Sequence, residues 1–508
     1  MLLGIALFLF LIFTVNLRHF TYNMNADIAA DVILSKLMGD ASRITVPPTW
    51  ISSSELKLIA LPNIAALIQM LLDDANLAFG WACCLMTLGI AISIYAFMGQ
   101  LGFDKPNKLL MVFLSLALPT VLSTLTMLYL PAAYCSIHVI AFFISLAFYH
   151  AVLDKKIKLP LYVLSSILAL LLGIQGLRGL LLIYAPLFTV ELLRNITILW
   201  QKKSLKKANV IALCHVGSLC VFSYVGTLLP MSIGYPTGRN MRRGFNDLIY
   251  SVLPDLARSL GSNTFLSHPV ALGALTLLGL STIIYVLSLL ISLLKKRGLS
   301  NVEWTYLVLP VSLIISLIMT AFTTTSSSSR YFFMSVFVLA MSTVMILGKA
   351  NSGICRLIHP FLLASVIILA FANVSLVYLP ILRSERPPQS DMQKVADYLL
   401  SQDYAIAYSP FDYAGVFSVL ADNQIIVAAV ADPGTLEINR WLNSWEFFPP
   451  YRPYEEKTAY IFSDNNNDND VFLGFVATNG HADIVFLDMQ IGSYYIYSSP
   501  YNLTSAVP

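Results

Sequence analysis

Stretches of about twenty apolar residues recur along this chain, and no other feature restricts its fold as much. Crossing the hydrocarbon core of a bilayer takes about 17 to 25 such residues. Eleven runs of that kind lie near residues 1–17, 77–99, 109–129, 132–152, 159–176, 180–199, 209–230, 270–294, 303–322, 331–348 and 358–380. Composition agrees: 57% of the residues are hydrophobic, 12% are charged, and the mean hydropathy is +0.73. The fold class expected is therefore a polytopic α-helical membrane protein of about eleven spans. A net charge of only +3 supplies no basic field for a nucleic-acid partner.

The positions of the positive residues set the expected topology. Lys105/Lys108, Lys155/Lys156/Lys158, Lys202/Lys203/Lys206/Lys207, Lys295/Lys296/Arg297 and Lys349/Arg356 follow alternate spans. All fall on one side, which the positive-inside rule makes cytoplasmic. The other side receives the first loop, 18–76, the turn at 176–179, the 231–269 loop, the Thr/Ser run at 323–329, and everything beyond 380. One detail runs against the rule: the first span has no basic residue before it and has Arg18 and His19 after it. Either the true start lies upstream or later charges override the first helix; a cleaved signal peptide would need a basic segment in front.

Within the first loop the sequence predicts two juxtamembrane helices, roughly 26–38 and 56–72, lying at the membrane interface with Trp50 at headgroup depth. Residues 1–380 thus read as a multi-pass membrane domain. Past the linker "RSERPP" (383–388), residues 381–508 read as a small extracytoplasmic α/β or α+β domain. Helices are expected at "DMQKVADYLLSQ" and "AGVFSVLADN". Strands are expected at "YAIAYSP", "QIIVAAV", "KTAYIFS", "ADIVFLD" and "SYYIYSS". "DNNNDND" (464–470) reads as a flexible loop lacking the Gly and Glu of an EF-hand.

Ionisable groups beside a membrane boundary are the informative candidates, because they are usually paired or functional. On the outer side they are Asp27, Asp31, Glu55 and Lys57 in the first loop, then Arg178, the cluster Arg239/Arg242/Arg243, Arg258 and Arg330. Acids gather early and arginines late. Such a set suits phosphate binding by guanidinium groups with a carboxylate at the reacting centre. Each member also has a plainer reading. Asp27 and Asp31, four apart, are the wet face of an interfacial helix; Arg178 snorkels beside glycines (Gly173, Gly176, Gly179) that serve close packing; Arg330 anchors an interface. Asp27 and Asp31 also repel one another by a few tenths of a kcal/mol at that spacing, and something should compensate. The seven histidines show no HExxH or paired spacing, and no phosphate-binding loop or nucleophile elbow is present. The cysteines suggest no disulfide framework or metal site.

A short Asp-bearing helix after the first span, helices in the first outer loop, about eleven spans and a terminal outer domain together resemble the GT-C class of membrane glycosyltransferases. More narrowly, "NADIAADVILSKLM…TWISSSELKLIALPNIA" is similar to a group of bacterial GT-C proteins with a pattern near "DMASELVLAK…WYYSTELRVL". "GLRGLLLIYAPL" and "SRYFFMSVFVLAMS" resemble later stretches of the same group. The resemblance implies transfer of a sugar from a polyprenyl-phosphate carrier to a glycan, lipid or protein acceptor at the outer face of the plasma membrane, with inversion. It implies Asp27 as base, Asp31 as its partner or as a ligand of a divalent cation (Mg or Mn), and Glu55 and Lys57 in substrate binding. Lys replaces the group's Arg at 57, which loses bidentate geometry. Arg178 and Arg330 become candidate clamps on the lipid phosphate, with Arg242 and Arg243 as further substrate-binding candidates, and the two clamps, the acceptor or a metal are expected to relieve the acids. A lipid-linked glycan flippase and a non-catalytic assembly protein are the rival readings. For these, the aromatic piece 438–456 is the candidate partner surface, or else a platform for an acceptor glycan.

Overall fold

Inside lipid a chain segment must satisfy its own N–H and C=O groups, which makes helices of the apolar runs. The computed structural model describes residues 1–53, 55–154, 159–229, 247–322, 328–348, 353–384, 390–464 and 467–505. Among them, eight helices are long and apolar enough to cross a membrane: Ala75–Gln100, Ser136–Leu153, Leu177–Lys202, Lys207–Leu228, Pro269–Leu294, Asn301–Phe322, Ser329–Leu347 and Ile358–Arg383. Leu2–Arg18 and Leu159–Gln175, each of 17 residues, sit at the lower limit for spanning. The run at 109–129 differs from expectation. Helix Lys105–Ala117 stops ahead of Pro119 and a separate short helix covers Leu122–Leu128, because proline lacks the N–H that would continue the ladder.

The chain divides into two compact units. The membrane unit takes the described residues of Met1–Ile12, Leu85–Met231 and Gly238–Pro380. Its helices differ in environment: the Ser329–Leu347 span is 89% buried and the Pro269–Leu294 span only 22%, so the first is core and the second faces lipid. Leu159–Gln175 and Lys207–Leu228 pack backbone to backbone. A Cβ on Gly173 would fall 2.0 Å from the Ser223 carbonyl oxygen, and one on Gly226 would fall 2.4 Å from that of Leu170. Gly176 does something else: its φ of +149° breaks the helix before Leu177, in a region open almost only to glycine.

The α/β unit takes the described residues of Phe13–Cys84 and Ile381–Pro508. Its elements are α1 (Ala26–Asp40), β1 (Trp50–Ile51), α2 (Leu61–Leu72), α3 (Asp391–Ser401), β2 (Ile406–Pro410), α4 (Phe411–Leu420), β3 (Val427–Val430), β4 (Asn443–Ser444), β5 (Thr458–Ser463), α5 (Asp468–Thr478), β6 (Phe486–Ile491) and β7 (Tyr494–Ser499). The five-stranded sheet runs β3-β2-β5-β7-β6. β2 is parallel to β3 and β5, while β7 is antiparallel to β5 and β6. Alternation along the strands sends Tyr408, Tyr460 and Phe462 to one face and Ala407, Ala459 and Ile461 to the other. The first face is covered by α1 and α5 through Ile33, Leu34, Met38, Phe472 and Val476; the second by α3 and α4 through Val395, Leu399 and Phe417.

Four local expectations change. The strand near 482–488 lies at 486–491, and Asp468 and Asp470 of the acidic stretch open α5, where a helix N-terminus favours carboxylates. α2 starts at Leu61 rather than 56, with Pro62 in its first turn. Trp50 is 6% exposed inside the core, with β1 paired antiparallel to β4 (Trp50 opposite Ser444, Ile51 opposite Asn443).

Candidate active site

α1 begins where Asn25, in extended conformation, accepts the Ile28 N–H on its side-chain oxygen at 3.1 Å. Asp27 follows in the first turn, next to the positive end of the helix dipole, and is half-buried. One turn on, Asp31 is 1% exposed. That burial excludes the wet-face reading for Asp31: residues Ile28 through Ser35 are all buried, so α1 is enclosed rather than laid on a surface.

Asp31 Oδ2 accepts a hydrogen bond from Lys57 Nζ at 3.0 Å. Oδ1 has no hydrogen-bond partner among the described residues. Burial, the largest influence, pushes the Asp31 carboxyl above its usual range; Lys57 opposes this, and the negative charges of Asp27 and Glu55 add to it. Lys57 is therefore the cation that answers the Asp27/Asp31 spacing, a partner the sequence did not assign. Its place is fixed by Asn63, whose Nδ2 donates to the Lys57 carbonyl at 2.9 Å and to that of Ile44 at 2.8 Å, while its Oδ1 accepts from Ala60 N at 2.9 Å. An oxygen buried without a hydrogen-bond partner costs about 1–3 kcal/mol, and such groups collect at functional sites more than in closed cores.

The candidate arginines that are described, Arg178, Arg258 and Arg330, lie in the membrane unit. Arg178 lies just past the Gly176 break, half-buried, with Nη1 3.4 Å from Cys135 Sγ. Arg330 sits in the 3₁₀ turn Ser329–Phe332, its guanidinium 5.2 Å from the Tyr331 ring centre and Nη2 3.3 Å from that hydroxyl. Arg258 pairs with Asp255 at 2.9 Å and is 53% exposed, the arrangement of a surface ion pair. Arg239, Arg242 and Arg243 lie outside the described residues.

No family model matches the sequence, and no curated protein matches it by sequence. The fold does have relatives. ArnT from Cupriavidus metallidurans in the apo state superposes with a TM-score of 0.56 over 98% of this chain and 97% of that one, at 10% identity. The same protein bound to undecaprenyl phosphate gives 0.57 over 100% and 99%, at 11% identity. The chain has the GT-C glycosyltransferase fold. At such identities the likeness is one of fold, and the chemistry must be argued from this chain's own residues.

Within that GT-C fold, sequence reasoning missed two things. Glu191, in the Leu177–Lys202 helix, is 0% exposed and accepts from Tyr149 Oη at 2.9 Å, Arg194 Nε and Nη2 at 2.8 Å each, and Asn195 Nδ2 at 2.7 Å. The signal was present as acid, arginine and amide at i, i+3 and i+4 inside an apolar run. The second is the aromatic piece 438–456. Phe447 and Phe448 are buried in the core, while Tyr451 and Tyr454 are exposed, Tyr454 stacking on Tyr501 with ring centres 5.0 Å apart, so the piece is part core and part surface. For a divalent cation the fit is poor. Among the described residues no three His, Cys, Asp or Glu side chains are grouped to hold a metal, and the Asp31 oxygen that is bonded already meets an ammonium.

Proposed function

We propose that this protein transfers a sugar from a polyprenyl-phosphate carrier to a glycan, lipid or protein acceptor of the cell envelope, at the outer face of the plasma membrane. The observation that carries the proposal is Asp31: a carboxylate enclosed in the α/β unit, held at one oxygen by Lys57 and, among the described residues, without a hydrogen-bond partner at the other, one helical turn from Asp27. Two acids at that spacing beside Lys57 form a proton-accepting site in a protected environment. The GT-C fold supports the reaction class. The undecaprenyl phosphate bound to one ArnT structure supports the carrier class.

In this reading Asp27 takes the proton of the acceptor hydroxyl as its oxygen attacks the anomeric carbon. The bond from that carbon to the phosphate oxygen breaks, and the electron pair leaves with the polyprenyl phosphate. A single displacement of this kind inverts the anomeric centre. Asp31 orients the acceptor through its open oxygen, and Lys57, held by Asn63, keeps the carboxylate in place. Arg178 and Arg330 are assigned to the charge that grows on the phosphate, with Arg242, Arg243 and Glu55 as further substrate contacts. Placing the α/β unit outside rests on the lysine-rich connections that follow alternate spans.

The test is transfer by purified protein in nanodiscs, with polyprenyl-phosphate sugars and envelope acceptors. Asp27→Asn keeps the volume and removes the base, and loss of a general base lowers rates about 10²- to 10⁴-fold. The expected result is that loss with an unchanged melting temperature. Equal rates for both proteins would move the base away from Asp27.

A further inference from the structure

We infer that the C-terminal part of the chain is the seat of the catalytic helix and that Gly415 is the positioning residue through which it acts; the catalytic half of this inference rests on the function proposed above. Both segments that carry the acidic site are held by residues far on in sequence. The Lys57 segment is anchored at β1, which pairs with β4; Thr49 Oγ1 donates to Glu446 at 2.7 Å, and Trp445 N donates to the Thr49 carbonyl at 2.9 Å. α1, carrying Asp27 and Asp31, lies against α4. The contact is close at one point: a Cβ on Gly415 would stand 3.0 Å from Ala29 Cβ and 3.5 Å from the Ala30 nitrogen.

A small void lies beside that contact, which makes the contact the point that sets the height of α1. A small cavity of about 20 Å³ lies here, bounded by Ala26, Ala30 and Ile33 of α1 and by Phe411 and Gly415 of α4, with Trp50 and Phe447 closing it. Ala29, itself 0% exposed, stands two residues from Asp27 and two from Asp31. A methyl group at position 415 would push α1 by a few tenths of an ångström at the middle of the acidic pair. Displacements of about 1 Å far from the chemistry lower rates about 100-fold, so a smaller push is expected to lower kcat about tenfold.

The experiment uses the full-length protein in nanodiscs as wild type, Gly415→Ala, and Gly415→Ala with Ala29→Gly, which removes the opposing methyl. Hydrogen exchange of the α1 amides and kcat and KM for the sugar donor are measured on each. The expected result for Gly415→Ala is faster exchange at residues 28–32 and a kcat about tenfold lower at unchanged donor KM. The double variant should recover kcat and slow exchange while melting lower than wild type, since glycine weakens a helix interior. A merely structural role would make activity follow melting instead. Normal exchange in Gly415→Ala, or a double variant no better than the single one, overturns the seating. Full activity in Asp27→Asn would instead overturn the proposed function, and the exchange measurement would still decide the seating.

Discussion

Among the described residues Glu191 and Asp31 are the carboxylates most fully sealed from solvent, and they are treated in opposite ways. Glu191, in the membrane unit, is 0% exposed and has four donated hydrogen bonds on its two oxygens, including the paired bonds from Arg194. Asp31, in the α/β unit, is 1% exposed, with one bond from Lys57 on one oxygen and none on the other among the described residues. Buried polar groups are normally satisfied, and a closed network stiffens what surrounds it. Glu191 follows that rule and ties Ser136–Leu153 to Leu177–Lys202. Asp31 departs from it while also facing the negative charges of Asp27 and Glu55. Under the proposed function, the difference separates a carboxylate that serves the fold from one that binds the acceptor.

Removing the closed network is expected to have the larger effect on stability. Glu191→Ala leaves the Arg194 guanidinium, whose side chain is 12% exposed, and the Tyr149 hydroxyl without their acceptor. Deleting one partner of a buried pair destabilises by about 3–5 kcal/mol. Thermal unfolding in detergent should show a clear drop, with transfer per folded molecule unchanged. If transfer collapsed while melting stayed the same, Glu191 would belong with Asp31 and the contrast would be lost.

The open carboxylate makes a smaller prediction, about pH. Asp31 has a carboxyl raised above its ordinary value of 3.8, burial being the main cause. In the window above 3.8 the folded protein keeps a proton that the unfolded chain has released. Stability contributed by this group is therefore present at low pH and declines as pH rises through the folded-state value. Asp31→Asn does not titrate, so the melting temperature of wild type minus that of the variant should fall as pH increases from about 4 and then level off. A flat or rising difference would mean that Lys57 outweighs burial.

How much of this was legible follows from which residues speak locally. Apolar runs announce helices wherever they occur, and only Pro119 interrupted one. The strands of the α/β unit were readable from their β-branched and aromatic residues. The two-residue strands β1 and β4 were not, because their pairing joins Trp50 to Ser444 across nearly the whole sequence. The same distance hid the site. Asp27 and Asp31 stood out by spacing and by position after the first span, but enclosure of α1 depends on Gly415 and on the sheet's tyrosines. The Lys57–Asp31 pair depends on Asn63 turning the loop back. Sequence spacing names groups on one helix; it is silent about which distant segment covers them.

The smallest effect tests whether α1 stands by its own cap or by the seat it occupies. Asn25 accepts the Ile28 N–H at 3.1 Å, and replacing such a cap by Ala costs about 1 kcal/mol where the helix depends on it. α1 is buried on nearly all sides, with Leu34 and Met38 against the sheet and Ala29 against Gly415. Most helical stability in proteins comes from packing of this kind. Asn25→Ala is therefore expected to lower the melting temperature only slightly and to loosen the first turn, where Asp27 stands, before anything further along. Hydrogen exchange should rise at Ile28 and Ala29 while Leu34 and Met38 stay protected. Faster exchange along the whole of α1 would mean that the cap, and not the C-terminal part of the chain, holds the acidic helix in place.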